Sequence, residues 1–278
     1  MPVQVVTAVE NKSSLHLPRI LCLHGGGSNA RIFKAQCRKL SAKLESHFRL
    51  VFVDGPFLSQ AGPCVQSVYA DWGPFRRWLR WTPDHPEVNA RTAVAEIEDV
   101  LMRAMEDDDS KGGTGDWVAL LGFSQGAKMS ASLLFRQQLY TEKLLQRRQW
   151  NKYKKEINFR FAVLLAGRGP LVSLDPDIFM PPAFQDAAAM SVDSYSTERH
   201  QREHILQIPT IHVHGTKDPG LELHRRLMKD FCDGNSTSLV VWDGDHRVPL
   251  KNKDTRPVVE HIFYLARQTG VLDDIATT

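Results

Sequence analysis

Gly122-Phe123-Ser124-Gln125-Gly126 sets a serine hydroxyl between two glycines, directly after the apolar run Trp117-Val-Ala-Leu-Leu121. A serine hydroxyl attacks an acyl carbon only when a neighbouring base takes its proton. The G-x-S-x-G spacing suits a serine at the apex of a tight strand-to-helix turn, where Cβ atoms at the glycine positions would collide. An Ala-rich helical stretch from Ala127 to Leu134 follows. Strand, turn and helix therefore come in the order a nucleophile elbow requires. The pentapeptide alone is a weak signal, and the plain alternative is a glycine-rich loop that only turns the chain.

A nucleophilic serine also needs a base, an orienting acid and an oxyanion hole. Ile208-Pro-Thr-Ile-His-Val-His-Gly-Thr-Lys-Asp218 reads as a strand running into a turn. Leu239-Val-Val-Trp242 reads as another strand, with Asp243-Gly-Asp-His246 on the loop after it. Ser124, Asp218 and His246 thus fall at carboxyl ends of strands, where parallel sheets bind ligands. Asp243 and Asp245 flank His246, but a residue so near in sequence rarely reaches the far nitrogen of the same imidazole. Asp54, Asp175 and Asp177 are weaker candidates for the acid, and Asp218 is favoured. His212 and His214 alternate along one strand; an H-x-H pair suits zinc, yet the other ligands of a zinc hydrolase are missing. His214-Gly215 reads as shaping the turn that presents Asp218, and His24 as structural.

Arg19-Ile-Leu-Cys-Leu-His24 is a short apolar strand, followed by Gly25-Gly26-Gly27-Ser28-Asn29-Ala30 and a helix. Such a loop can aim backbone N–H groups at a developing oxyanion. The expected donors are the N–H of Gln125, next after the serine, and that of Gly26. The same residues fit a different class of protein. Gly25-x-Gly27-x-x-Ala30 matches the dinucleotide fingerprint, and Leu50-Val-Phe-Val-Asp54 ends in an acid suited to a ribose hydroxyl, as in an NAD(P)-dependent oxidoreductase. That reading leaves Ser124, Asp218 and His246 without a task. A non-catalytic binding module is a third option, in which a broken triad is expected.

These residues need a scaffold. Strands are expected near residues 19–24, 48–54, 116–123, 159–166, 208–214 and 238–242, and helices near 29–45, 88–106, 125–145, 220–232 and 255–268. Alternating βα units predict an α/β fold, a parallel sheet covered on both faces. Val94, Ile97, Leu101 and Ala104 form one helical stripe. Glu106-Asp-Asp-Asp109 reads as a solvated helix exit. Two insertions, near 55–86 and 168–204, break the pattern at carboxyl ends of strands and are expected to overhang the serine. The first carries Trp72, Phe75, Trp78 and Trp81, expected to bind substrate, the alternative being that they only pack the insertion onto the body, with Arg76, Arg77 and Arg80 among them. The second carries Phe179, Met180, Phe184 and Met190.

The chain of 278 residues suits a single domain spanning 1–278. Its net charge of +3 does not argue for nucleic acid. The basic run at Gln146–Lys155 reads as a solvated helix end and loop, with a docking patch as the alternative. Neither a signal peptide nor a membrane-spanning run is expected, and Cys22, Cys37, Cys64 and Cys232 lack metal-ligand spacing. Cys22 and Cys37 read as buried thiols, and a cytoplasmic location fits.

The phrases Phe52-Val-Asp-Gly-Pro-Phe57, Gly122-Phe-Ser-Gln-Gly126, His214-Gly-Thr-Lys-Asp-Pro219 and Gly244-Asp-His246 resemble the FSH family of serine hydrolases, within the α/β-hydrolases. The resemblance runs through nearly the whole chain. Ala70-Asp-Trp-Gly-Pro-Phe-Arg-Arg-Trp78 looks most like fungal secondary-metabolite members, the lovastatin-type thioesterases. The resemblance implies an α/β-hydrolase fold, a triad of Ser124, Asp218 and His246, and no cofactor. It also implies an ester or thioester substrate, here a polyketide chain released from the acyl carrier domain of its synthase. A general carboxylesterase is the alternative. The triple glycine departs from many members, which carry a bulkier residue after His-Gly.

Overall fold

A computed structural model describes residues 14–146, 157–175, 183–191 and 205–273. In chain order it holds β1 (Arg19–Leu23), α1 (Ala30–Gln36), α2 (Arg38–Leu44), β2 (Arg49–Val53), β3 (Phe57–Ser59), α3 (Pro63–Tyr69) and β4 (Phe75–Arg77). Then follow α4 (Ala90–Ser110), β5 (Trp117–Phe123), α5 (Gln125–Gln146), β6 (Phe161–Leu165), β7 (Val172–Ser173) and β8 (Gln185–Asp186). The described part closes with β9 (Thr210–Gly215), α6 (Leu221–Phe231), β10 (Thr237–Trp242) and α7 (Asn252–Gln268).

The main sheet has six strands in the order β10-β9-β6-β5-β1-β2, and every pair in it is parallel. Successive side chains of a strand point to opposite faces, and both faces are apolar. Leu21, Leu23, Leu120 and Leu164 pack on one side with residues of α4, α5 and α6. Ile20, Cys22, Leu121, Val163, Leu165 and Val213 pack on the other with residues of α1, α2 and α7. Each fully buried side chain of this kind is worth roughly 1.5–3 kcal/mol. From β1 the chain winds outward to β2, then returns to place β5 on the other flank of β1. Strand order reverses there, so a crevice opens beyond the ends of β1 and β5. The glycine loop and Ser124 lie at that crevice.

Three expectations need correction. The helix expected over 29–45 is two helices, broken at Cys37, whose φ/ψ of −82/0 ends α1 and begins α2. The acidic run is not simply a solvated exit, because α4 continues through it to Ser110. Asp108 is buried and takes hydrogen bonds from Arg19 (3.2 Å) and Arg49 (2.8 Å), tying α4 to the first residues of β1 and β2. On the stripe of α4, Met105 is buried beside Leu101, while Ala104 packs only partly. The first insertion is also more regular than expected. β3 and β4 pair as an antiparallel hairpin with α3 between them.

Candidate active site

Ser124 stands at the end of β5 with φ +53, a left-handed conformation that ordinary residues avoid and that marks a held, strained turn. Its N–H donates to the Leu165 carbonyl of β6 at 2.8 Å. The N–H groups of Ala127 and Lys128 donate to its carbonyl, which starts α5. A Cβ at Gly126 would overlap the Leu23 carbonyl, so glycine lets α5 dock beside β1.

Asp218 and His246 come from two loops laced together. Thr216 N–H donates to the Trp242 carbonyl at 2.9 Å, and Lys217 N–H to the Gly244 carbonyl at 2.8 Å. His246 Nδ1–H donates to Asp218 Oδ2 at 2.6 Å, leaving His246 Nε2 to accept from Ser124 Oγ at 3.0 Å. Asp218 Oδ1 accepts from Gly220 N–H at 2.8 Å. Burial pushes the Asp218 carboxyl up. The hydrogen bond and charge of His246, the Gly220 N–H and His224 outweigh it, and the net shift is downward. Asp218 is thus held as a carboxylate.

The rival acids are engaged elsewhere. Asp243 pairs with Lys217 at 2.7 Å and Asp245 with Arg247 at 3.3 Å, all at the surface. Asp175 accepts from the Tyr140 hydroxyl; Asp177 lies outside the described residues. Asp54 accepts from the Ala30 N–H at 2.7 Å, and Asn29 from the Ile32 N–H at 2.8 Å. Those N–H groups open α1, so the helix end that a dinucleotide phosphate would need is already capped from within the chain. The glycine loop is equally occupied. Gly27, at φ +69, donates to the Arg76 carbonyl (2.9 Å) and accepts from Gly62 N–H (2.8 Å). Among the described residues, the N–H groups of Gly26 and Gln125 have no acceptor.

His24 is structural in its bonding. Its Nδ1–H donates to the Gly25 carbonyl (2.7 Å) and its Nε2 accepts from Gly55 N–H (2.8 Å). Burial pushes its pKa down to about 4.

The first insertion touches this site directly. Gln125 Oε1 accepts from the N–H groups of Trp78 (2.7 Å) and Leu79 (3.1 Å), and its Nε2 donates to the Leu79 carbonyl (3.1 Å). Its four aromatics divide. Trp78 is fully buried and donates from Nε1 to the His24 carbonyl at 2.9 Å, so it packs the insertion onto the body. Trp72, Phe75 and Trp81 are half-buried. Trp81 borders the glycine loop, its Nε1 3.3 Å from where a Cβ on Gly26 would lie. The arginines serve their own segment. Arg77 is buried over the Phe57 ring, Arg76 donates to the Pro56 carbonyl at 3.3 Å, and Arg80 pairs with Glu87 at 3.0 Å. In the second insertion, Ser191 N–H donates to the Arg80 carbonyl at 2.8 Å, and Phe184 is buried against Phe135 and Phe231. Phe179, Met180 and most of the basic run lie outside the described residues.

One neighbour of the site carried no sequence signal. His224, on α6, is fully buried within 3.6 Å of Asp218 Oδ2. It belongs to a row of imidazoles, His212–His214–His224–His246, with ring centroids 5.9, 5.5 and 6.0 Å apart. Burial pushes His212 and His224 down to about 3 and His214 to about 4, against an upward pull from the Asp218 carboxylate on His214 and His224, so these rings are neutral.

A strained serine bonded to an imidazole that is bonded to a buried carboxylate is the arrangement that acyl transfer to water uses. The sequence model described as serine hydrolase (FSH1) matches residues 13–258. The chain belongs to this family. Esterase claE of Penicillium crustosum is 54% identical over 268 residues, 95% of this chain and 98% of that protein. Esterase citA of Monascus ruber is 55% identical over 257 residues, covering 92% and 95%. Esterase dbaE of Emericella nidulans is 50% identical over 280 residues, covering 98% and 99%. Among solved structures, a Mesorhizobium loti carboxylesterase superposes with a TM-score of 0.50 at 16% identity, covering 88% of each chain. The Bacillus cereus carboxylesterase does so with a TM-score of 0.50 at 16% identity, covering 91% of each. These likenesses carry the fold, which is that of the α/β-hydrolases. The protein is a serine hydrolase. No helix among the described residues is long and apolar enough to cross a membrane.

Proposed function

We propose that Ser124 is the nucleophile, His246 its base and Asp218 the orienting acid of an esterase or thioesterase. The observation that carries this is the unbroken pair of hydrogen bonds, Ser124 Oγ–His246 Nε2 at 3.0 Å and His246 Nδ1–Asp218 Oδ2 at 2.6 Å. In this reading His246 takes the Ser124 proton as Oγ attacks the acyl carbon. The oxyanion accepts from the N–H groups of Gly26 and Gln125, which are otherwise unengaged among the described residues. The C–O or C–S bond then breaks, the leaving group takes the proton from His246, and an acyl-enzyme remains. His246 next takes a proton from water, hydroxide attacks the acyl carbon, and the acid leaves as Ser124 regains its proton. Asp218 holds the Nδ1 proton throughout, so that Nε2 is the nitrogen that takes up and returns the travelling proton. No step calls for a metal or organic cofactor.

The substrate we favour is an apolar acyl chain, specifically a polyketide released in the cytoplasm from the acyl carrier domain of its synthase. Support comes from the likeness of Ala70–Trp78 to fungal secondary-metabolite thioesterases and from fungal relatives named as esterases. The first insertion, bound to Gln125 beside the nucleophile, is the proposed acyl surface, with Trp72, Phe75 and Trp81 offering ring area. The whole chain is taken as one domain with both insertions over the site.

A fluorophosphonate should add one adduct to the intact chain, mapped by peptide mass to Ser124; equal labelling of Ser124→Ala rejects the assignment. Matched acyl thioesters and oxyesters of increasing length then separate a thioesterase from a general carboxylesterase. Carrier-bound thioester turned over no faster than the free pantetheine thioester would reject the carrier partner.

A further inference from the structure

Asp218 has a histidine neighbour that hydrolysis does not use. His224 Nε2 lies 3.6 Å from Asp218 Oδ2, too far for a hydrogen bond, and the side chain is fully buried. Neither ring nitrogen of His224 has a hydrogen-bond partner among the described residues. A buried polar group without a partner destabilises a fold, and an apolar side chain there would pack at lower cost. Its placement therefore points to something other than packing. Ligand atoms of Asp218, His224 and His246 all lie within 4.8 Å of one another. Two imidazoles and a carboxylate are a ligand set that suits Zn²⁺, a borderline-soft ion bound by nitrogen and oxygen alike.

We infer that Asp218, His224 and His246 form an inhibitory zinc site, in which the bound ion shuts off hydrolysis. The shut-off rests on the proposed role of His246 as base; the binding does not. Tetrahedral zinc, with bonds of about 2.1 Å, sets ligand atoms about 3.4 Å apart. The His224–Asp218 gap of 3.6 Å is close to that, while the His246–Asp218 gap of 2.6 Å has to open. Asp218 stays anchored through Oδ1, which keeps its bond from Gly220. The His246 side chain is 18% exposed and the other two are at 0%, so the ion enters past His246.

The shut-off is a tautomer change that conserves protons. Without the ion, His246 carries its proton on Nδ1 and offers the Nε2 lone pair to Ser124. Zinc takes the Nδ1 lone pair, and the proton passes to Nε2. The ring remains neutral, but Nε2 becomes a donor, and Ser124 loses its acceptor.

The test uses the full chain in a Cys64→Ser background, since Cys64 is an exposed thiol and thiols are zinc ligands in their own right. Zinc binding is measured by calorimetry on Ser124→Ala, where no turnover intervenes, and inhibition on the active chain, each with and without His224→Asn and His224→Leu. One ion per chain is expected, with its Kd and the inhibition midpoint both rising at least about tenfold when His224 is replaced. X-ray absorption on the zinc-loaded chain with His224 intact should report two imidazole ligands, a readout that does not depend on a variant folding. Inhibition unaffected by His224 replacement, or a single imidazole at the metal, overturns the site and leaves the triad standing. Zinc held through His224 with hydrolysis undiminished overturns the shut-off and counts against His246 as base.

Discussion

Two loops at the same edge of the sheet each present a histidine, and they treat it in opposite ways. After β1, His24 is fully buried, and both of its ring nitrogens are bonded to backbone, at Gly25 and Gly55. After β10, His246 keeps one nitrogen for Asp218 and turns the other to a serine hydroxyl, at the open side of the crevice. Both have a glycine within two residues, and each packs on an aromatic ring, His24 on Trp78 and His246 on Phe123. Neither position along a strand nor the neighbouring residue types separates the proposed base from the strut. The difference is what the second nitrogen is given. A backbone N–H uses up the lone pair, whereas a hydroxyl leaves it available for proton transfer.

The comparison is broken most directly by exchange. His246→Ala should lower kcat by about four decades or more, because the serine then has no base. His24→Asn should keep kcat within roughly tenfold and instead lower stability by about 1–3 kcal/mol, the cost of unsatisfied buried groups. Steady-state kinetics with a matched denaturant titration checks both. A four-decade loss for His24→Asn in a folded protein would mean that the strut also serves the chemistry.

The proposed orienting acid and its two rivals give the next largest contrast. Asp218→Asn should cost about three to four decades in kcat, since an amide no longer fixes the Nδ1–H tautomer. Asp243→Asn and Asp245→Asn, both in surface ion pairs, should stay within about threefold. Asp245→Asn proving as damaging as Asp218→Asn would require a rearranged loop in solution.

Much of this was legible in the chain beforehand, and the reasons are local. Strands buried on both faces are near-continuous apolar runs, so β1, β5 and β6 stand out as Ile20–Leu23, Val118–Leu121 and Phe161–Leu165. Ser124 was legible because its turn admits little but glycine at Gly126. The hairpin of β3 and β4 was not, since strands of three residues carry no measurable period. Asp108 reads as one acid in an exposed run; only the packing of α4 against Arg19 and Arg49 buries it. His224 follows the aspartate by six positions with no motif linking them, and only the docking of α6 brings the two together.

Acid should sharpen the contrast by a smaller amount. His24 and His212 have folded pKa values pushed down by burial, to about 4 and about 3, against 6.5 for a free imidazole. Below pH 6.5 the unfolded chain binds protons that the folded chain refuses, so stability is fully present above 6.5 and drains away as pH falls toward 4. For His24 the loss between pH 7.5 and 4.5 is about 2–3 kcal/mol. Denaturant midpoints at the two pH values should therefore differ less for His24→Asn than for the parent chain. An equal pH drop in both would mean that His24 takes up its proton as readily folded as unfolded, contrary to its two backbone bonds.

The same division extends to two tryptophans of the first insertion, and here the expected effect is smallest. Trp78 belongs to the strut, with its indole N–H on the His24 carbonyl and its ring 5.4 Å from the His24 ring. Trp81 belongs to the proposed acyl surface, half-buried beside Gly26, with its backbone N–H on His85 Nδ1 at 3.3 Å. Trp78→Phe keeps a ring but drops a buried hydrogen bond, so it should lower stability by about 1–3 kcal/mol and act alike on every substrate. Trp81→Ala removes apolar area that a long acyl chain would cover and an acetyl group would not. At about 1–2 kcal/mol for that contact, kcat/KM should fall roughly tenfold on a long-chain thioester and little on an acetyl one. Trp81→Phe, which keeps most of the area, should recover most of the loss. A uniform fall on both substrates with a lowered Tm would place Trp81 with Trp78 in the packing of the insertion, and the acyl surface would then have to be sought elsewhere at the crevice.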